Sequence, residues 1–399
     1  MNDETTLLNR WAAEPFRVFF PLAVLMGILG VCMWPLYFFG GISFYPGMNH
    51  SRVMTFGFFG GFMMGFLFTS LPRLLDAKPL RKGELLLVLL LYLTISVCHF
   101  LGATNVGESL VVAWVLGCLG VMIPRIVKGA DLPPPGFVLV LMGFVCALFA
   151  ALISLFADGD EWDARWLVLR QILVFQGFLI FPLTGVGGFI LPRILGLPEH
   201  HDFPQTRVPS KAWLRQFWGS LAVGLVILGS FWLELLGQFR VAYGLRFIAV
   251  TIYLSRLVPW WQAPKKGSFV WCLRFGLGSF VAALLFVASF PEWRLPFIHL
   301  GFGIGLALIS FVVGSRVVLG HRDELIAMEG RQKWMLWVFG LVFVGITSRM
   351  IGDFIPRILV SHYNYGALFW GFGAILWWYR LMRGRKAKAS ESPVEESQA

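Results

Sequence analysis

Twelve stretches of about twenty apolar residues, separated by short polar connections, constrain this chain more than any single motif does. An α-helix rises about 1.5 Å per residue, so roughly 20 such residues cross the hydrocarbon core of a bilayer. The runs occupy residues 18–40, 53–72, 84–101, 107–127, 136–157, 170–192, 216–236, 241–262, 268–289, 296–319, 334–354 and 364–382. They predict an all-α, polytopic transmembrane bundle of about 12 helices. Residues 1–17 form a cytoplasmic N-terminal segment and 18–382 the transmembrane domain, and 383–399 is a charged, Ser-rich cytoplasmic tail expected to be disordered. The eighth run carries Arg240, Arg246 and Arg256 and is the least apolar, so an eleven-helix reading stays open.

Composition agrees: 57% of the 399 residues are hydrophobic and 14% charged, with 39 Phe and 17 Trp, more than one water-soluble core requires. The segment from Met1 to Arg10 is polar and a full-length span follows it, so the first helix is expected to act as an uncleaved anchor. A net charge of +11 would suit nucleic acid only if gathered on one soluble face, and here the basic residues are dispersed between apolar runs. They report orientation instead, because cytoplasmic flanks are enriched in Lys and Arg. With both termini cytoplasmic, only Arg52, Arg165, Arg170, Arg240, Arg246, Arg294, Arg349 and Arg357 of the 33 basic residues fall on the outer side. The acidic loop DGDEWDARW falls there too. Cys32, Cys98, Cys118, Cys146 and Cys272 form no CxxC pair and read as small buried side chains.

Even-numbered helices end near an arginine (Arg73, Arg125, Arg193, Arg256, Arg316), a cadence that suggests a repeated two-helix hairpin. At the opposite ends, His50, His99 and His299 share one depth. Imidazole is the commonest protein ligand for metals and haem iron, and sites in helical bundles are built from facing helices. His50 and His299, with His99 as a third member, are therefore candidate haem or copper ligands. Met54 lies four residues beyond His50, on the same helical face, and could add a soft donor for copper. Arg52 could pair with an anionic group such as a haem propionate. Gly57, Gly60, Gly61 and Gly65 permit close approach of a helix or a flat macrocycle. At the inner side stand Arg316 and His321, the latter a further metal candidate, and the loop pair His200 and His201, which reads as solvated. His362 is placed in an outer loop. Neither hydrolytic nor nucleotide-binding motifs are evident, so no catalytic residue is named.

These residues bring a family into view. PFRVFFPLAVL (Pro15 to Leu25), HSRVMTFGFFGGFMMGFLFTSLPR (His50 to Arg73) and HLGFGIGLALISFVVGSRVVLGH (His299 to His321) resemble the NnrS family. The resemblance implies a multi-pass protein of the bacterial inner membrane that contains haem and copper and serves the response to nitric oxide. It implies that His50, His299, Arg316 and His321 are family-type positions, with His50 and His299 the metal or haem ligands. The family's second helix often opens HAHEM, whereas this chain reads HSRVM, with Arg52 and Val53 in place of a histidine and a glutamate. A missing ligand would then be lost, be replaced by His99, or signal fewer cofactors.

The expected function is a haem-binding, nitric oxide-responsive membrane protein whose partners are the bilayer, the gas and an electron donor. Two other classes stay open. A secondary transporter would place polar residues on broken helices, and Pro182, Thr184, Gly185, Gly187 and Gly188 are where to look. A cytochrome b-like electron carrier would want paired histidines on both sides of the membrane.

Overall fold

The computed structural model describes residues 7–156, 164–198 and 206–382. His200, His201, most of the DGDEWDARW loop and the tail lie outside the described residues. After a short helix, Leu7–Ala13, the chain forms α1 (Phe16–Phe38), α2 (Gly47–Leu74), α3 (Lys82–Phe100) and α4 (Thr104–Lys128). It continues through α5 (Phe137–Phe156), α6 (Ala164–Leu195), α7 (Lys211–Leu235) and α8 (Phe239–Gln262). The last four are α9 (Ser268–Ser289), α10 (Pro291–Gly320), α11 (Lys333–Phe354) and α12 (Leu359–Met382). Eleven of these are long and apolar enough to cross a membrane, α8 among them. The remaining helix, α12, is 24 residues long and opens on His362, Tyr363, Asn364 and Tyr365, which lower its apolarity. Among the described residues there is no strand. The end of the bundle holding His50, His99 and His299 is called the outer end below.

The recurrence in this fold has a period of four helices, not the two suggested by the arginine cadence. A π-helical segment interrupts α2 at Val53–Phe59, α6 at Leu173–Gly177 and α10 at Leu300–Leu306. At the seams between successive groups of four, α4 packs on α5, α8 on α9, and α12 returns to α1. The apolar windows of α2 and α6 are 83% buried, against 33% for α4 and α7, so α2 and α6 are core helices. With α10 they converge on the bundle centre, where side chains from all three line a common cleft.

A π turn holds one extra residue and frees a carbonyl from the regular ladder, which must find another donor inside a membrane. Tyr92 on α3 donates its hydroxyl to Gly57 O at 2.7 Å, and Trp370 on α12 donates its indole N–H to Gly303 O at 3.2 Å. Both π segments are thus held from the side by an aromatic residue of a neighbouring helix. The glycines of α2 serve helix packing and not a macrocycle. A Cβ at Gly57 would lie 2.8 Å from Met26, one at Gly61 2.6 Å from the Tyr92 hydroxyl, and one at Gly65 2.5 Å from Phe20. Small residues let helix backbones approach where lipid supplies no hydrophobic drive, which is the role they have here. Phe58, Phe62, Phe311, Trp370 and Trp377 then fill the space between α2, α10 and α12 with ring centroids 5.0 to 5.8 Å apart in edge-on pairs.

Candidate functional site

His50 and His299 come from α2 and α10 to the wall of one cavity of about 670 Å³ at the outer end. His50 Nδ1 lies 2.8 Å from Gly30 O on α1, and His299 Nδ1 lies 2.9 Å from Leu295 O in the preceding turn. A carbonyl oxygen can only accept, so each Nδ1 carries the proton and each Nε2 keeps its lone pair. This is the arrangement by which proteins fix the tautomer of a metal-ligating imidazole. Gly30 makes the first contact feasible, since a Cβ there would lie 2.8 Å from Met54 Sδ. Met54 also lines the cavity, as the sequence suggested. Trp34 closes the outer wall, its ring edge-on to His50 at 6.0 Å and to Tyr363 at 5.0 Å. All three π-helical segments contribute to the lining, through Met54, Thr55 and Phe59, Phe175 and Gln176, and Phe302 and Gly303. Such segments frequently mark functional sites, because they re-aim side chains that a regular helix would stack.

Two arginines face the same space. Arg349 on α11 is buried against the Tyr363 ring, 3.4 Å from its centroid, and pairs with Asp353 at 2.5 Å. Among the described residues its Nε has no hydrogen-bond partner. Tyr363 in turn donates to Asp353 Oδ1 at 2.6 Å. On the opposite wall, Arg294 reaches Glu234 Oε1 at 3.1 Å, and the second Glu234 oxygen lies 2.5 Å from Arg246 Nη1. Gln176 completes this network, accepting from Arg246 and donating to the Tyr243 hydroxyl at 2.8 Å. Of the charged side chains that line the cavity, the two arginines stand against Glu234, so the wall carries one surplus positive charge and favours an anionic group.

The remaining candidates fall elsewhere. His99 does not join the other two: it is fully buried, stacks on Phe56 at 6.3 Å, and meets Gly107 of α4. It is not part of the cavity wall. Arg52 likewise turns away. Its partner is Glu108 on α4, with Nε and Oε1 2.5 Å apart and both side chains essentially inaccessible, so it is a structural ion pair and not a cavity cation. Arg316 and His321 lie at the inner end, also outside the cavity wall. His321 packs on Phe16 at 4.7 Å and approaches Val317 O at 2.8 Å through Nδ1. Burial holds its pKa below the usual imidazole value, with the backbone bond opposing and the Arg73 charge reinforcing that shift. His362 belongs to the first turn of α12, not to a loop, and its Nδ1 is 3.0 Å from the Ser348 hydroxyl. Among the described residues, no three or more His, Cys, Asp or Glu side chains converge as a metal cluster.

Across nearly its whole length the sequence fits one family: the profile described as NnrS protein matches residues 10–383. The chain belongs to the NnrS family. No match to a curated protein was found. Within this NnrS-family chain, sequence reasoning found His50, His299 and Met54 and missed Arg349, Arg294, Gln176 and Tyr243. Arg349 and Arg294 were visible only as outer-side basic residues, and Glu234 only as the clearest carboxylate in an apolar run.

The residues present fit a haem. The cavity lies within the few-hundred to 1,000 Å³ scale typical of sites for large ligands. It offers two imidazoles with unprotonated Nε2 atoms on facing helices, aromatic walls, and arginines at the outer rim for carboxylates. For copper the donors gathered here are the two imidazoles and the Met54 thioether, a set whose softness suits Cu(I), and among the described residues no third His, Cys or carboxylate joins them.

Proposed function

We propose that the NnrS-family chain holds haem in the outer cavity between His50 and His299, and that it acts in the response to nitric oxide as a binding or protective protein. The observation that carries this reading is the pair of imidazoles, each fixed at Nδ1 by a backbone carbonyl and each lining the same cavity. Arg349 and Arg294 would take the propionates, a role expected of Arg52 until its pairing with Glu108 was seen. Haem, when held by His50 and His299, would supply the affinity for nitric oxide. The protein's share is to fix both tautomers, to hold the charge at the rim and to exclude water with Trp34, Phe302 and Trp370. An electron donor that keeps the iron ferrous is the implied partner. The dispersed basic residues support a multi-pass protein of the bacterial inner membrane with both termini in the cytoplasm.

Detergent-purified protein is expected to show a Soret band that shifts with nitric oxide and is lost in the His50→Ala, His299→Ala double variant. A colourless wild type, or a spectrum indifferent to both substitutions, refutes the haem site. Transport finds less support. The helical segment Phe178–Leu195 runs unbroken through Pro182, and the Thr184 hydroxyl returns to the carbonyls of Ile180 and Phe181 at 2.9 and 3.0 Å. The feature that suggested a substrate site is a satisfied core helix.

A further inference from the structure

We propose that the cleft where α2, α6 and α10 converge is a dry pocket for an apolar diatomic gas, set directly behind the wall of the outer cavity. That the gas is nitric oxide rests on the haem reading above; the pocket itself does not. Its volume is about 100 Å³, and Phe62, Met63, Leu183, Val186, Ile309 and Val313 form much of the lining. Among the described residues that line it no side chain is charged, and Ser310 carries the one hydroxyl. An ordered water needs two to four polar partners, which this lining does not offer; enclosed apolar cavities of roughly 150 Å³ stay dry and take up xenon or benzene, and this cleft, not fully closed at the partly exposed Met63, Val186, Ser310 and Val313, offers the same kind of apolar contact. The space suits a diatomic gas or a xenon atom. It is far too small for a macrocycle.

Phe59 and Leu179 line both this pocket and the outer cavity, so these two side chains form the partition between them. Phe59 is the last residue of the π segment on α2, and Leu179 follows the π segment on α6 by two residues. Rotamer changes of such side chains are fast compared with helix motions, so a gas molecule can pass where a polar solute or an ion cannot. An uncharged, sparingly polar gas partitions into the bilayer and into this pocket alike. The pocket raises its local concentration beside the outer cavity, and would keep a molecule released from a haem held there close enough to rebind.

The test uses the full-length protein and needs no activity. Crystals pressurised with xenon are expected to show one strong anomalous peak between Phe62, Leu183 and Val313, and the peak should vanish in Leu183→Trp. Val313→Phe fills the same space from another helix and guards against a folding failure of the first variant. In haem-loaded protein, flash photolysis of bound carbon monoxide should show a prompt rebinding phase that the filled variants diminish and Phe59→Ala accelerates. Absence of xenon at this position, an ordered acyl or detergent chain there instead, or rebinding indifferent to all three variants overturns the proposal. A colourless protein that still binds xenon would refute the haem reading alone, and a haem protein without the xenon site would refute only the pocket.

Discussion

The buried pair Arg52–Glu108 offers the sharpest test of how the outer end is built. Both side chains are at most 1% exposed and lie 2.5 Å apart, linking α2 to α4 away from the cavity wall. Removing one partner leaves an uncompensated charge in a low-dielectric interior, which costs about 3 to 5 kcal/mol, whereas replacing both by apolar residues of similar volume is commonly neutral or stabilising. Glu108→Gln keeps the shape and one acceptor but discards the charge, so it should lie near the lower end, about 3 kcal/mol, a change of roughly two orders of magnitude in the folding equilibrium. Among the described residues the Arg52 Nη1 and Nη2 atoms already lack hydrogen-bond partners, so none of these stands ready to take up the released guanidinium. Arg52→Met with Glu108→Leu should recover most of the loss. Unfolding in mixed micelles by titration with a denaturing detergent measures all three variants on one scale. The reasoning fails if Glu108→Gln costs less than about 1 kcal/mol, the range of an exposed pair, or if the double variant is no better than the single one. The Soret band should be unmoved in the double variant, since neither residue lines the cavity. A bleached or shifted band there would return Arg52 to the haem site.

Further outcomes follow from the same geometry. Arg349→Leu should weaken haem retention about tenfold or more, the worth of one charge-assisted hydrogen bond, measured by transfer of haem to a competing apoprotein; unchanged retention would remove Arg349 from the site. Gly61→Leu should prevent α1 and α3 from closing on α2, since even a Cβ there would lie 2.6 Å from the Tyr92 hydroxyl and 2.7 Å from Ala23. Its melting temperature should fall sharply while Gly83→Ala, in open space, leaves it unchanged. His321 has a pKa depressed in the folded protein, so the unfolded chain binds its proton first as pH drops. The stability of wild type relative to His321→Asn should be steady above the ordinary imidazole pKa of about 6.5 and decline as pH falls below it. A wild-type minus variant difference that stays flat from pH 7.5 to 5.5, or rises on acidification, would be inconsistent with the burial of this ring.

What the sequence yields and what it withholds divide along one physical line. Helix length and position are written in hydropathy and charge, so all twelve helices, including the weakly apolar eighth, were legible, as was the meeting of His50 and His299 at one cavity. Direction around each helix is set by packing. His99 and Arg52 face away from the cavity, and for Arg52 the sequence itself shows why. Residues two apart on a helix point about 200° apart, so Arg52 and His50 do not share a face. Arg349 and Arg294 lay beyond reach for the opposite reason, since nothing in their local sequence ties α11 and the start of α10 to α2. The π segments deepen the difficulty. Each adds a residue to a turn and shifts the face presented by everything beyond it by about one residue step, roughly 100°. Any 3.6-residue template laid along α2, α6 or α10 therefore loses register at the outer cavity, where the three faces meet. The same shift brings Phe59 and Leu179 to the boundary between the two cavities, so the feature that hides this region from periodicity also builds it.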